Sequence, residues 1–464
     1  MTMEAVKEYQ DIYLTSFAAR EKEFAAGPAW LSGIRRTALD RFVELGFPTT
    51  HLEDWKYTSV APLASIPFQP APAGPGGAII DALKGLPLCG LDCSRLVFLN
   101  GHYQRELSSL TDLPQGVRAG SLAAALANGS GALEQHLARH ADFREHAFVA
   151  LNTAFLHDGV FLEIPQGVIL EKPVVLLFIS APRGRPTVSH PRTLVIAGRE
   201  SQATVIEGYI GLDGAPPFRT PDAELEPGVT SDAYLTNVVT EIVVGEGAVL
   251  EYAKFQQEGR AAFHVATVQV RQERSSNVST DSFALGGALV REDLNTVLAG
   301  EGAEASLHGL YMTAGRQHVD NHTTLDHAAP HCTSRELYKG VLDGQSTGVF
   351  NGRVIVRPGA QKTDSKQGNK NLLLSEDAVI NTKPQLEIFA DDVKCTHGAT
   401  IGQIDPEAIF YLRSRGIAAD KARALLTFAF ANEVIERVKY RPMRDRLKDA
   451  LRARLGAGPG KEDA

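Results

Sequence analysis

Cys395 and His397 stand two residues apart in the stretch DDVKCTHGAT, directly after the paired carboxylates Asp391 and Asp392. Thiolate, imidazole and carboxylate are the side chains that bind transition metals. The run LEIFADDVKCTHGATIG reads as strand, turn, strand. Residues two apart on a strand project to the same side, with Cα atoms ~7 Å apart, so thiol and imidazole share one face. Two ligands do not close a zinc site, which usually takes four. The pair is therefore either part of a site completed from elsewhere or a small buried thiol beside a backbone-bonded imidazole.

A second group lies in HVDNHTTLDHAAPHC, which holds His318, Asp320, His322, Asp326, His327, His331 and Cys332. Its nitrogen and sulfur donors make His318, His322, His327, His331 and Cys332 secondary metal candidates. No standard ligand spacing fits them. His318, Asp320 and His322 alternate onto one strand face, which an exposed polar face would show equally. Cys89 and Cys93, in LCGLDCS, read as ordinary thiols, and Trp55 and Tyr57, in EDWKYT, read as a structural anchor. There is no P-loop for nucleotide phosphates, no Gly-x-Ser-x-Gly elbow and no Cys-x-x-Cys.

The elements that must position these residues fall into three zones. Residues 1–150 read as helical and mixed: TALDRFVELGF puts Leu39, Phe42, Val43 and Leu45 at helical spacing with Gly46 as a stop. A Pro/Gly-rich loop follows at 66–78, and SLAAALANGSGALEQHLARH favours helix. From 151 to 405 short β-branched runs recur, closed by a degenerate turn signature that starts at 197, 244, 299 and 356. Those spacings of 47, 55 and 57 residues predict a β-solenoid, most simply a parallel β-helix, with two coils per repeat; a stacked β-sandwich is the alternative. From 406 to 464 helices return, with Asp405 as N-cap, Pro406 at the first position, Gly416 as terminator, and a second helix at 419–438. Its middle, ALLTFAFA, is apolar nearly all round, which points to burial on more than one side or to a partner.

Composition sets the class. The 464 residues carry 55 acidic and 47 basic side chains, a net charge of −8, which argues against nucleic-acid binding. The apolar segment VILEKPVVLLFIS is broken by Glu171, Lys172 and Pro173 and is too short to span a bilayer. No signal peptide is visible, and four cysteines make no disulfide framework, so a cytoplasmic location is expected.

Several long segments then carry a family resemblance: LNTAFLHDGVFLEIP, HPRTLVIAG, SRELYKGVL, GVFNGRVIVRPGAQKTDSKQGNKNLLLS, INTKPQLEIFADDVKCTHGATIG and DPEAIFYLRSRGI. Together with EDWKYT they resemble the SufD family of the bacterial Suf machinery for iron–sulfur cluster assembly. The resemblance implies a right-handed parallel β-helix flanked by helical N- and C-terminal domains, and a scaffold rather than an enzyme. It implies pairing with a SufB-like subunit through the β-helix and with a SufC-like ATPase through the C-terminal helices, or a homodimer when isolated. Phe410, Tyr411, Arg413, Arg415, Gly416, Leu425, Phe428 and Phe430 are the expected docking residues for the ATPase. His397, with Cys395 beside it, is implied at a partner-completed site for transient iron or a nascent cluster; no tightly bound cofactor is expected in the chain alone. Two rivals stand beside this reading. One is a self-sufficient metal protein built on His318–Cys332; the other is a β-helix carbohydrate enzyme using Glu387, Asp391 and Asp392.

Overall fold

The computed structural model describes residues 3–25, 27–73, 88, 90–182, 184–212 and 232–456. Strands alternate between two sheets, and the strands stacked coil on coil within each sheet are parallel; among the described residues the antiparallel partners are Arg118–Ser121 on Gly159–Ile164 and His102–Tyr103 on Ser94–Leu99. One sheet stacks eight strands in order, from Gly159–Ile164 to Val379–Ile388. The other runs from Ser94–Leu99 to Lys394–Gln403. This is a β-solenoid with helices at both ends, as the sequence predicts, and its parallel ladders exclude the sandwich.

Strand alternation explains why it folds this way. In Leu289–Leu298 the residues Val290, Leu294 and Leu298 enter the core between the sheets, while Asp293 and Asn295 face outward. Leu289 is in register with His318, and His318 with Thr347, so one coil takes 29 residues. The turn signatures are therefore not one uniform repeat. Ala197 pairs directly with Val244, a single coil lengthened by the chain between them, whereas the two later spacings each cover two coils.

The corner after the first-sheet strand has its own rule. Glu200, Gly247, Ser275, Gly302, His331 and Lys362 all adopt positive φ, from 53° to 70°. Each donates its amide to a carbonyl in the next coil's corner, as in His331 to Gln361 at 2.8 Å. Glycine enters this position freely at 247 and 302; elsewhere the coil-to-coil bond holds a costlier residue there.

Helices clothe the outer faces. Helix Ala29–Leu45 buries Leu39 and Phe42 and ends at Gly46, φ 63°, whose N–H reaches the Phe42 carbonyl at 2.8 Å. It forms an aromatic cluster with Tyr13, Phe17 and Phe155. The Ala/Leu-rich stretch gives two short helices, Leu122–Asn128 and Gly131–His136, separated by Gly129 at φ 68°. Residues 66–73 of the predicted loop include a short strand, Gln69–Pro70, paired with Thr187–Ser189; 74–78 and Cys89 lie outside the described residues. At the other end Asp405 caps helix Pro406–Ser414 by accepting from the Glu407 amide at 2.9 Å. Helices Ala419–Ile435 and Arg441–Arg454 then lay Ala431, Val434, Met443 and Leu447 onto Phe255, Phe283, Leu310 and Met312 of the second sheet.

Candidate functional site

Strand Lys394–Gln403 is the last of its sheet. It pairs with Asp364–Leu373 on one side and, among the described residues, with no strand on the other. Val379–Ile388 ends the first sheet in the same way. Cys395 is in register with Ser365, and His397 with Gln367. Both of those partners are buried, and Cys395 packs against the interior cluster. Alternation then places His397 on the same inward side. Every residue of this strand except Cys395 is exposed, because no further coil covers it. Thiol and imidazole thus stand side by side on one face at the open mouth of the solenoid, each at the end of its own row. Burial pushes the Cys395 thiol above its ordinary value, against a hydrogen bond from the Ser365 backbone. A positive group or metal brought to the mouth would shift it toward thiolate. Asp391 and Asp392 lie exposed in the preceding turn, where Asp392 is occupied by Lys362.

Beneath the pair the lumen changes character, which sequence reading missed. The row ending at Cys395 reads Ala203, Leu250, Val278, Ala305, then Ser334 and Ser365. Ser334 bonds to Ser365 at 2.8 Å, and His327 Nε2 lies 2.9 Å from the Ser334 hydroxyl. The signal was present as polar residues at alternate positions of SRELY and DSKQGNKN, but knowing that those positions face inward required the register.

The second histidine group does not converge. His318 and His322 face outward: His318 Nε2 is 2.8 Å from Thr58 Oγ1, and His322 Nε2 is 3.1 Å from Asp320. His327 and Cys332 point into the interior, both fully buried. His331 occupies the positive-φ corner of its coil. Strand alternation and a turn therefore separate these residues, and among the described residues no group of three or more His, Cys, Asp and Glu side chains forms a metal site. The outward face is instead an anchor. Buried Arg291 donates to Asp320 at 2.6 Å, to Asp293 at 2.7 Å and to the Asp54 carbonyl at 2.8 Å, and lies 4.4 Å over the Trp55 ring. EDWKYT is thereby clamped to the solenoid, as the sequence predicts for Trp55.

Comparison with known proteins bears directly on this geometry. Residues 178–430 match the family described as SUF system FeS cluster assembly, SufBD core domain, and residues 3–176 match the SufBD protein N-terminal region. The chain belongs to the SufBD family. It is 34% identical to an iron–sulfur cluster assembly SufBD family protein of Synechocystis and 31% identical to the iron–sulfur cluster assembly protein SufD of Escherichia coli, in each case over 90% of both chains. It is 24% identical to SufD of Bacillus subtilis over 98% of this chain and all of that one.

In this SufBD protein the C-terminal candidates divide. Helix Pro406–Ser414 has no buried residue; Phe410 is 74% exposed and Tyr411 58%. Arg413, Arg415, Gly416 and Leu425 are exposed beside them. Phe428 and Phe430 are half-buried instead, Phe428 beneath Arg452 and Phe430 beneath Lys339, whose Nζ lies 4.2 Å from the ring centroid. Phe430 thereby attaches the helix to the solenoid, and Phe428 to helix Arg441–Arg454, before any partner is considered. Among the described residues no helix is long and apolar enough to cross a membrane.

Proposed function

We propose that this chain is a non-catalytic scaffold subunit of a cytoplasmic Suf assembly complex. Its open solenoid end joins a SufB-like subunit, and Phe410, Tyr411 and Leu425 hold a SufC-like ATPase. Iron and the nascent cluster are cargo, held briefly at the seam by His397 with Cys395 beside it and completed by partner ligands. The observation that carries this reading is the uncovered end of the solenoid with the Cys-x-His pair at its mouth. An unpaired sheet edge is a template for another strand, and natural proteins cover or blunt such edges. Here two edges end together, and among the described residues seven of the twelve large hydrophobic side chains that stand exposed fall between Val379 and Leu425. That concentration fits an interface better than scatter. This sequence has no P-loop, so the nucleotide chemistry of the complex falls to the ATPase partner.

The test is co-expression with SufB-like and SufC-like partners, reconstitution with iron and sulfide, and comparison of His397→Ala with wild type. Native mass reads assembly and absorbance reads cluster content. Normal assembly with lost clusters is expected. Normal assembly with wild-type clusters would reduce this strand to structure.

A further inference from the structure

A groove of about 330 Å3 runs along the outer face of the first sheet, walled by parts of the segments 45–55 and 140–149. Two outward rows of the solenoid make its floor. One reads Thr267, Asp293, His322 and Asn351; the other reads Gln269, Asn295, Thr324, Arg353 and Gln385. Ala141 and Val149 cover Val239, the residue before Thr267 in the first row, so the groove is closed at that end. The other end reaches Gln385 on Val379–Ile388, the edge strand that no further coil covers. Five strands span four spacings of ~4.8 Å, which gives a floor ~19 Å long, the reach of about six extended residues.

The charges on floor and walls differ. On the floor Asp293 pairs with Arg291 at 2.7 Å, Asp326 pairs with Arg357 at 2.6 Å, and Arg353 lies 3.9 Å from Glu387. On the walls Asp54, Asp142 and Glu145 are exposed, and among the described residues no cation pairs with them. The groove therefore keeps an excess of negative charge along its sides. On the floor the Asn351 carbonyl oxygen, Oδ1, is buried and has no hydrogen-bond partner in the protein. Carboxylates and a carbonyl oxygen only accept, whereas ammonium, guanidinium and backbone N–H groups donate. A nucleic-acid strand would bring like charge to the walls.

We propose that this groove seats an extended segment, bearing lysine or arginine, from the subunit that closes the solenoid mouth. Its source in that subunit rests on the scaffold reading above and on the groove opening at the same edge strand. Backbone N–H groups of the segment meet the amide and hydroxyl side chains of the floor, and its cationic side chains reach the wall carboxylates. Charge complementarity of this kind steers encounter and fixes register more than it adds affinity. The groove thus guides which way round the two subunits meet.

The experiment places a photo-cross-linking benzoylphenylalanine at Asn295, mid-floor, in the chain co-expressed with its SufB-like and SufC-like partners. Native mass reads assembly, and peptide mapping identifies what position 295 captures. The expected capture is a stretch of the SufB-like subunit that carries lysine or arginine. The double change Asp142→Lys and Glu145→Lys, both at exposed positions, should lower its yield about tenfold. Raising the salt should lower the yield in the otherwise wild-type chain as well, a readout that needs no wall variant. If the complex assembles but position 295 captures nothing, or captures an acidic or uncharged stretch, the proposal is overturned and the scaffold reading stands. A yield indifferent to both salt and charge reversal overturns it too. If native mass shows no complex with the otherwise wild-type chain, the scaffold reading falls and takes this occupant with it.

Discussion

Replacing Asp320 with alanine should release the EDWKYT segment from the solenoid while leaving the coils intact. Asp320 is 1% exposed and accepts from Arg291 at 2.6 Å and from Thr58 Oγ1 at 2.5 Å. Burial by itself would push its carboxyl up; Arg291 foremost, then His322 and Thr58, more than offset this and hold it well below the ordinary carboxylate range. Alanine strands the buried Arg291 with less than its full charge balance, and breaking one side of a buried pair costs about 3–5 kcal/mol. Asp293 and the Asp54 carbonyl remain to Arg291, so the lower figure, about 3 kcal/mol, applies. The loss should be local, because the coils above and below keep their backbone ladders. Hydrogen exchange over residues 53–60 reads it directly, with protection falling about a hundredfold for that energy. Trp55 gives a second signal. The chain has two tryptophans, so a Trp30→Phe background isolates Trp55, whose emission should shift red once Arg291 and Phe148 leave its faces. Unchanged exchange and emission in Asp320→Ala would refute the argument, showing that the aromatic packing holds the segment without the ion pair.

Two further outcomes follow from the same geometry. Because helix Pro406–Ser414 buries nothing, the double change Phe410→Ala and Tyr411→Ala should leave the urea midpoint of the isolated chain in place. The same change should weaken capture of the ATPase partner a hundredfold or more, at about 1.5–3 kcal/mol per side chain; a falling midpoint with normal capture would contradict it. The second outcome concerns pH. Burial pushes the Glu336 carboxyl up to about 7, against the hydrogen bond from Gln367. Between pH 4.5 and 7 the folded chain therefore keeps a proton that the unfolded chain releases, and stability falls as pH rises through this window by up to ~1.4 kcal/mol per pH unit. Glu336→Gln removes that one contribution, so its urea midpoint should pull ahead of wild type from pH 4.5 to 7 and run parallel outside the window. A constant offset from pH 4 to 8 would show that Glu336 titrates normally.

Much of this protein was written locally. β-branched runs closed by turn signatures specify coils, because a strand's alternation and a corner's positive φ are both properties of a few neighbouring residues. The caps at Gly46 and Asp405 were legible for the same reason, as was the shared face of Cys395 and His397. The sequence motifs also carried the family. What needed the tertiary structure was everything set by register between coils. Spacing between turn signatures mixed one-coil and two-coil steps, so it could not say which residues stack. Only stacking shows that His327 and Cys332 turn inward while His318 and His322 meet Thr58 and Asp320, which dissolves a cluster that looked dense along the chain. Stacking likewise sets Glu336 and Gln367 in line behind His397 and leaves that line open at its end. Local chemistry fixes the element, because its forces act within a few residues. Long-range pairing fixes which side chains share a row, because residues ~30 positions apart meet only when the coil closes.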